Sequence, residues 1–241
     1  HQCDRRQRQM CIRDSENSQV EIIERYQSIT NNNVLVNSVS EIYVNKKSNV
    51  KHYKIQNDKK SSSLIDNTFV SQEHSSSYNL HTFSFGGDLT RNNLNIFQND
   101  QRIESTINGI TIIDDEQHVD HNTLIHHKEP NCTSHQDYKG IYGGKSVGVF
   151  NGRVLVEKEA QKTNAFQANN NVLISDKASI NTKPQLEIFA DDVRCSHGCT
   201  IGQLDNNALF YLRSRGIPEK EATALMMFGF ANKVLTSVQN Q

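Results

Sequence analysis

Short strand-like runs follow one another from His81 to Ile201, and no helical periodicity interrupts them. They read LNIFQN, RIESTINGITII, HVDHNTLIHHK, TSHQDYKGIY, SVGVFNGRVLVEK, TNAFQANNNVLI, ASINTKPQLEIFA and VRCSHGCTIG. Apolar and polar residues alternate within them, and Asn, Gly and Asp punctuate them, which is the pattern of β-strands and turns. Three earlier runs, VEIIERY, VLVNSVSEIYV and VKHYKIQ, carry the same rhythm between Val20 and Gln56. The polar, Ser-rich stretch 56–80 is expected to hold a long turn and one strand around Asn67–Gln72. An all-β core follows. A sandwich would use hairpins, and Asn108-Gly109 and Asn151-Gly152 look like hairpin turns. A parallel β-helix would instead tolerate small polar residues on both parities, as in TNAFQANNN, because inward Asn, Thr and Ser can ladder along its axis. Only 35% of the chain is hydrophobic and Trp is absent. A thin repetitive architecture suits such a chain better than a thick central core. The periodicity leans to the β-helix.

The chain changes character after Gly202. LDNNALFYLRSRG predicts a short helix with Asp205 or Asn206 at the N-cap and Gly216 at the C-terminal cap. Pro218 then begins a second helix, with Glu219 and Glu221 in its first turn. Ala222, Leu225, Met226, Gly229 and Phe230 share one face of it at 3.6 spacing. The domain reading is a β-helix core over 16–203 and a C-terminal helical domain over 204–241, expected to be truncated.

Residues 1–15 are set aside. The piece Gln7-Arg8-Gln9-Met10-Cys11-Ile12-Arg13-Asp14 reads as a translated sequencing-library adapter, so the segment is expected to be a non-native tail outside the fold, and the chain a metagenomic fragment. Without Cys3 and Cys11, three cysteines remain: Cys132, Cys195 and Cys199. An odd, sparse set is no disulfide framework and suits a reducing cytosol. The net charge of -1 leaves no basic excess for neutralising phosphates, which argues against nucleic acid as the main partner. No apolar run approaches a membrane span.

Cys195, His197 and Cys199 are the strongest chemical candidates. On a strand, residues i, i+2 and i+4 face one side, and thiolate and imidazole suit iron or zinc. The spacing matches no zinc-finger pattern, however, and small buried thiols with one hydrogen-bonded His fit these residues better when they are read alone. His118, His121, His126 and His127 are expected to be polar strand and turn residues. Cys132 follows a Pro-Asn turn and reads as structural. Gly140-Ile141-Tyr142-Gly143-Gly144-Lys145-Ser146 mimics a phosphate loop, but position 139 is Lys and a strand follows rather than a helix. Asp114-Asp115-Glu116 and Asp191-Asp192, the acidic clusters that a polysaccharide-cleaving β-helix would need, look like turns. The stripe Leu209, Phe210, Leu212, Met226 and Phe230 is core between the two helices by default. It is also apolar enough to meet a partner, with Tyr211, Arg213 and Arg215 as a polar rim.

The order and spacing of six pieces resemble the SufD family of iron–sulfur cluster assembly scaffolds. They are FGGDLTRNN (85–93), VDHNTLIHH (119–127), KGIY (139–142), VFNGRVLVEKEAQKTNAFQ (149–167), KPQLEIFADDVRCSHGCTIG (183–202) and LFYLRSRGIPEKEA (209–222). The resemblance implies a right-handed parallel β-helix closed by a small helical domain, in a cytoplasmic, non-enzymatic scaffold. It implies a heterodimer with the paralogue SufB through the β-helix, and the ATPase SufC docked on the C-terminal helices through Leu209, Phe210, Tyr211, Arg215, Met226 and Phe230. It places His197 at the subunit interface as a ligand for iron or a transient iron–sulfur cluster shared with SufB. Cys195 is a candidate beside it. Cys199 stands where the family has alanine. The paralogue carries Glu-His-Glu where this chain has Ser196-His197-Gly198, which favours the SufD form over a SufB-like one. Flavin binding is left open. The readings from another class are a purely structural β-solenoid and a polysaccharide-acting β-helix enzyme.

Overall fold

The computed structural model describes residues 4–29 and 32–239. Among the described residues, fourteen strands alternate between two sheets of seven. One sheet holds, in spatial order, β1 (Asp4–Arg13), β3 (Val34–Val44), β5 (Ser62–Gln72), β7 (Leu89–Gln98), β9 (His118–His127), β11 (Val147–Val156) and β13 (Ser179–Ile188). The other holds β2 (Gln19–Tyr26), β4 (Asn49–Gln56), β6 (Ser77–Ser84), β8 (Glu104–Ile113), β10 (Thr133–Tyr142), β12 (Asn164–Leu173) and β14 (Arg194–Gln203). Neighbours pair in parallel and in register, so each strand lies against the strand two places on in the chain. The architecture is a parallel β-solenoid.

Alternation builds its interior. Along β4 the even positions Val50, His52, Lys54 and Gln56 are buried and the odd ones only partly so. In-register stacking then brings like parities together as an axial core: Ile42, Val44, Val50, Val70, Tyr78, Ile96, Ile107, Ile125 and Phe150 pack in one cluster. Polar side chains share that interior. The Lys54 ammonium pairs with Asp66 and lies 3.7 Å from Glu24. The Tyr26 hydroxyl lies 2.6 Å from one Glu24 oxygen and 3.0 Å from one of Asp66.

Three expectations are corrected. Asn108-Gly109 and Asn151-Gly152 are not turns but lie within β8 and β11. A Cβ on Gly109 would sit 2.3 Å from the Tyr138 ring, and one on Gly152 2.4 Å from the Gln167 amide nitrogen. Both glycines make room for a large side chain, a role that mimics a turn signal in sequence. The stretch 56–80 holds most of two strands, β5 from Ser62 and the start of β6, rather than one from Asn67. Its serines stay in the ladder because a solenoid corner accepts them inside: Ser62 is buried and meets the Ser28 hydroxyl at 2.9 Å. Finally, residues 4–13, expected outside the fold, form β1 against β3. Alternation again explains it, since Met10 and Ile12 pack on the core cluster.

The turns have their own ladder. Asn17, Lys47, Ser75, Arg102, Asn131 and Lys162 all have φ between 55° and 62°. Most donate their backbone N–H to the next turn, as Lys47 does to His74 O at 2.9 Å and Ser75 to Gln101 O at 3.0 Å. Left-handed backbone costs a side-chain-bearing residue about 1–2 kcal/mol, which glycine avoids. Glycine's greater unfolded-state entropy offsets part of that gain. Lys47→Gly or Arg102→Gly is therefore expected to stabilise the protein by about 0.5–1 kcal/mol. Urea unfolding would check this, and a loss of stability would show that the Lys or Arg side chain compensates for its backbone.

After β14 the chain forms α1 (Asn206–Ser214) and α2 (Glu219–Gln239). Asp205 is the N-cap, accepting from the Asn207 N–H at 2.8 Å. Gly216, at φ 86°, ends α1 and donates to Arg213 O at 2.9 Å. The helices turn back along the outer face of the even-strand sheet. Ala231, Val234 and Leu235 pack there on Phe83, Phe85, Ile110 and Ile112. Lys139 on β10 donates to Phe230 O at 2.6 Å and lies over the Phe230 ring.

Candidate functional site at the open end of the solenoid

Because α2 lies along the side of the solenoid, no helix among the described residues caps the rung of β13 and β14. β13 and β14 are the outermost strands of their sheets at this end, and β14 is exposed at every position but Cys195. Cys195, His197 and Cys199 lie on β14 in register with Ala165, Gln167 and Asn169 of β12, all buried inward-facing residues. The three side chains therefore continue the interior columns into the open end. Cys195 is half-buried, packed on the cluster of Val154, Val156, Ala160 and Ala165. Burial pushes its thiol up from the ordinary value, which keeps it protonated unless a metal or a base arrives. His197 and Cys199 are exposed.

Alternate residues on a strand are roughly 6.6 Å apart. Three ligand-type side chains at that spacing do not converge on one ion by themselves, and among the described residues no group of three His, Cys, Asp or Glu side chains forms a metal cage. What the strand offers is a row of donors at an unpaired edge, able to contribute one or two ligands to a site completed from outside the chain. The layer beneath is polar: Gln167, Asn169 and Asn171 are buried, and Asn171 donates to Asn169 Oδ1 at 2.7 Å. Sequence reasoning did not single these residues out. Only strand register shows that they lie under the Cys-x-His-x-Cys run.

The structure separates the other candidates. His121 and His127 face inward on β9, fully buried. His121 Nε2 lies 2.9 Å from Thr111 Oγ1, and His127 Nε2 lies 2.9 Å from Ser134 Oγ. His126 alternates outward to Glu157 at 2.8 Å. They are strand residues with partners on neighbouring rungs. Cys132 is buried with its thiol 3.2 Å from Asp100 O. The phosphate-loop mimic ends β10, crosses a turn and enters β11 at Val147. In the acidic turns, Asp115 pairs with Lys60, Glu116 with Lys145 and Asp192 with Lys162.

The apolar stripe of the helices divides. Leu209, Leu212, Met226 and Phe230 are half-buried. Phe210 is 73% exposed and Tyr211 57%, and Leu225 and Phe228 are exposed as well. The expectation that Phe210 is core, and that Leu225 shares the face of buried Ala222, is corrected. Consecutive helical residues point about 100° apart, so with Leu209 and Leu212 on the packed side Phe210 and Tyr211 look outward. Arg215 stacks over Tyr211 at 5.2 Å.

The architecture is thus a parallel β-solenoid with donor side chains along its outermost described strand and an aromatic patch on a docked helix pair. The family model described as SUF system FeS cluster assembly, SufBD core domain, matches residues 3–230, and the chain belongs to that family. It is 38% identical over 230 residues to an iron–sulfur cluster assembly SufBD family protein of Synechocystis, covering 92% of this chain and 51% of that one. It is 37% identical over 161 residues to the iron–sulfur cluster assembly protein SufD of Escherichia coli, covering 67% and 38%. It is 35% identical over 206 residues to a chloroplastic protein of Arabidopsis thaliana, covering 85% and 43%. The chain thus spans about half the length, or less, of these relatives. Among the described residues no helix is long and apolar enough to cross a membrane.

Proposed function

We propose that the chain is a non-enzymatic scaffold subunit of iron–sulfur cluster assembly, working in the cytoplasm. The observation that carries this reading is the open end of the solenoid, where β13 and β14 offer unpaired edges and donors of the kind that iron takes. An unpaired edge strand is a template for pairing with another chain. The partner would be a SufB paralogue whose own terminal strands continue the sheets. His197 would supply an imidazole ligand to iron or to a nascent cluster held as cargo between the two subunits. Cys195 is the second donor, and Cys199, the more exposed thiol, the third. The exposed rings of Phe210 and Tyr211, with Arg215 beside them and Met226 and Phe230 behind, would receive the SufC ATPase. Closure of paired ATPases would pull on the helices and open the subunit interface, a two-state movement biased by nucleotide.

The test is co-purification of the chain with its own SufB and SufC, comparing the wild type with His197→Ala. The expected result is a three-protein complex that assembles in both cases, with iron and sulfide accumulating only in the wild type. A fully competent variant would remove His197 from the site. Failure of any complex to form would overturn the scaffold reading and return the protein to a structural solenoid.

A further inference from the structure

One chain of hydrogen bonds inside the solenoid ends on an unmet group directly beneath His197. Gln136 on β10 donates from Nε2 to Thr123 Oγ1 on β9 at 2.7 Å. Gln167 on β12 donates from Nε2 to Gln136 Oε1 at 2.6 Å. All three residues are buried, both glutamines completely. Both amides therefore direct an N–H group toward the earlier rungs, and Gln136 turns its oxygen toward Gln167. The last oxygen, Gln167 Oε1, is buried and has no hydrogen-bond partner. Space is kept for this amide, because a Cβ on Gly152 would lie 2.4 Å from Gln167 Nε2. The next residue in the same register column is His197.

Buried acceptors without partners are rare and call for a reason. Adjacent strands lie about 4.8 Å apart, within reach of an imidazole N–H extended toward an amide oxygen on the neighbouring rung. A neutral imidazole has one N–H and one lone pair, and the hydrogen bond made by one nitrogen decides which form the other takes. Metal-binding histidines are generally held this way, by an acceptor on the far nitrogen.

We propose that Gln167 is the positioning residue for His197: its Oε1 accepts the imidazole N–H, selects one tautomer and turns the other nitrogen's lone pair out of the open end. This rests on the reading of His197 as a ligand and supplies its orientation. Gln136 and Thr123 act behind it by fixing which way the Gln167 amide faces. A reversed amide would present an N–H to His197 and select the opposite arrangement.

The contact is tested on the full chain, isotopically labelled with nitrogen-15, metal-free and without partners, at a pH where the imidazole is neutral. The His197 ring signals are assigned by their loss in His197→Asn. The expected result is a single tautomer in the wild type and a mixture of both in Gln167→Leu, with backbone amide signals preserved outside the last rungs. A mixture already present in the wild type would overturn the proposal, and this holds even if Gln167→Leu does not fold. A single tautomer that survives Gln167→Leu would overturn it equally. Neither metal nor partner enters the measurement. A fully competent His197→Ala complex, which would discard the ligand reading, is therefore told apart from the absence of this contact.

Discussion

Lys54→Met is expected to destabilise the first rungs of the solenoid by about 3–5 kcal/mol, the usual cost of removing one partner from a buried ion pair. Lys54 is the cation between Glu24 and Asp66, and all three side chains are essentially dry. Burial pushes the Glu24 carboxyl up, but the His52 ring, with Nε2 3.5 Å from it, and the Lys54 charge outweigh burial and hold the group well below the usual carboxylate range. Without Lys54, two carboxylates share one interior with only the Tyr26, Ser38, Ser40 and Thr68 hydroxyls and His52 for company. One of them must take a proton, or the rungs must open to water.

A solenoid couples each rung mainly to its neighbours, so the loss is local. Amide hydrogen exchange should show faster opening in β2 to β6 and near-native protection in β10 and β12. The triple variant Glu24→Gln, Lys54→Met, Asp66→Asn, which removes all three charges, is expected to recover most of the loss, because a neutral interior no longer strands a charge. A loss below about 1 kcal/mol for Lys54→Met would show that water already reaches the pair, as it does at exposed salt bridges.

These charges mark the limit of what alternation shows. Along VKHYKIQ the strand period identifies His52, Lys54 and Gln56 as one face, yet two faces of such a strand look equally polar, so the inward one is not evident. It becomes so only when Ile22, Val50, Tyr78 and Leu80 are stacked in register, and register is a long-range property that one strand does not encode. The same reason hid Gly109 and Gly152, whose partners lie on other rungs. By contrast, the helices at 206–239 were legible because their signals are local: Asp205 caps, Gly216 adopts positive φ, and Pro218 precedes α2. The candidate site was half legible. Spacing placed Cys195, His197 and Cys199 on one face, and the structure adds that this face belongs to the last rung and that Gln167 waits beneath it.

Acidification is expected to destabilise the fold well before its surface carboxylates titrate. His52, His121 and His127 are buried in the interior, and burial, the largest influence on each, favours the neutral ring. It lowers His121 from the ordinary 6.5 to about 4. It lowers His127 to about 3, with the neighbouring His126 adding to the effect. His52 is also lowered, although the Glu24 carboxylate 3.5 Å from its Nε2 works in the opposite direction. In the unfolded chain these rings bind a proton near pH 6.5, whereas in the folded chain His121 does so only near 4 and His127 near 3, and His52 is shifted in the same direction. Between those values the unfolded state holds more protons, so stability falls as pH falls. The contribution is complete above 6.5 and is lost at up to about 1.4 kcal/mol per pH unit for each ring. From pH 7 to pH 5, His121 and His127 together remove about 4 kcal/mol. Glu24, whose carboxyl is depressed, adds its own loss only at lower pH, below the unfolded carboxylate value near 4.3. Urea unfolding at pH 7.5 and 5.0 would measure the drop. The double variant His121→Gln, His127→Gln, less stable at pH 7.5, should show a flatter pH dependence because it no longer carries the rings that take up protons on unfolding. Equal stability of the wild type at the two pH values would mean that these imidazoles protonate in place, and that the solenoid interior admits water at every rung they occupy.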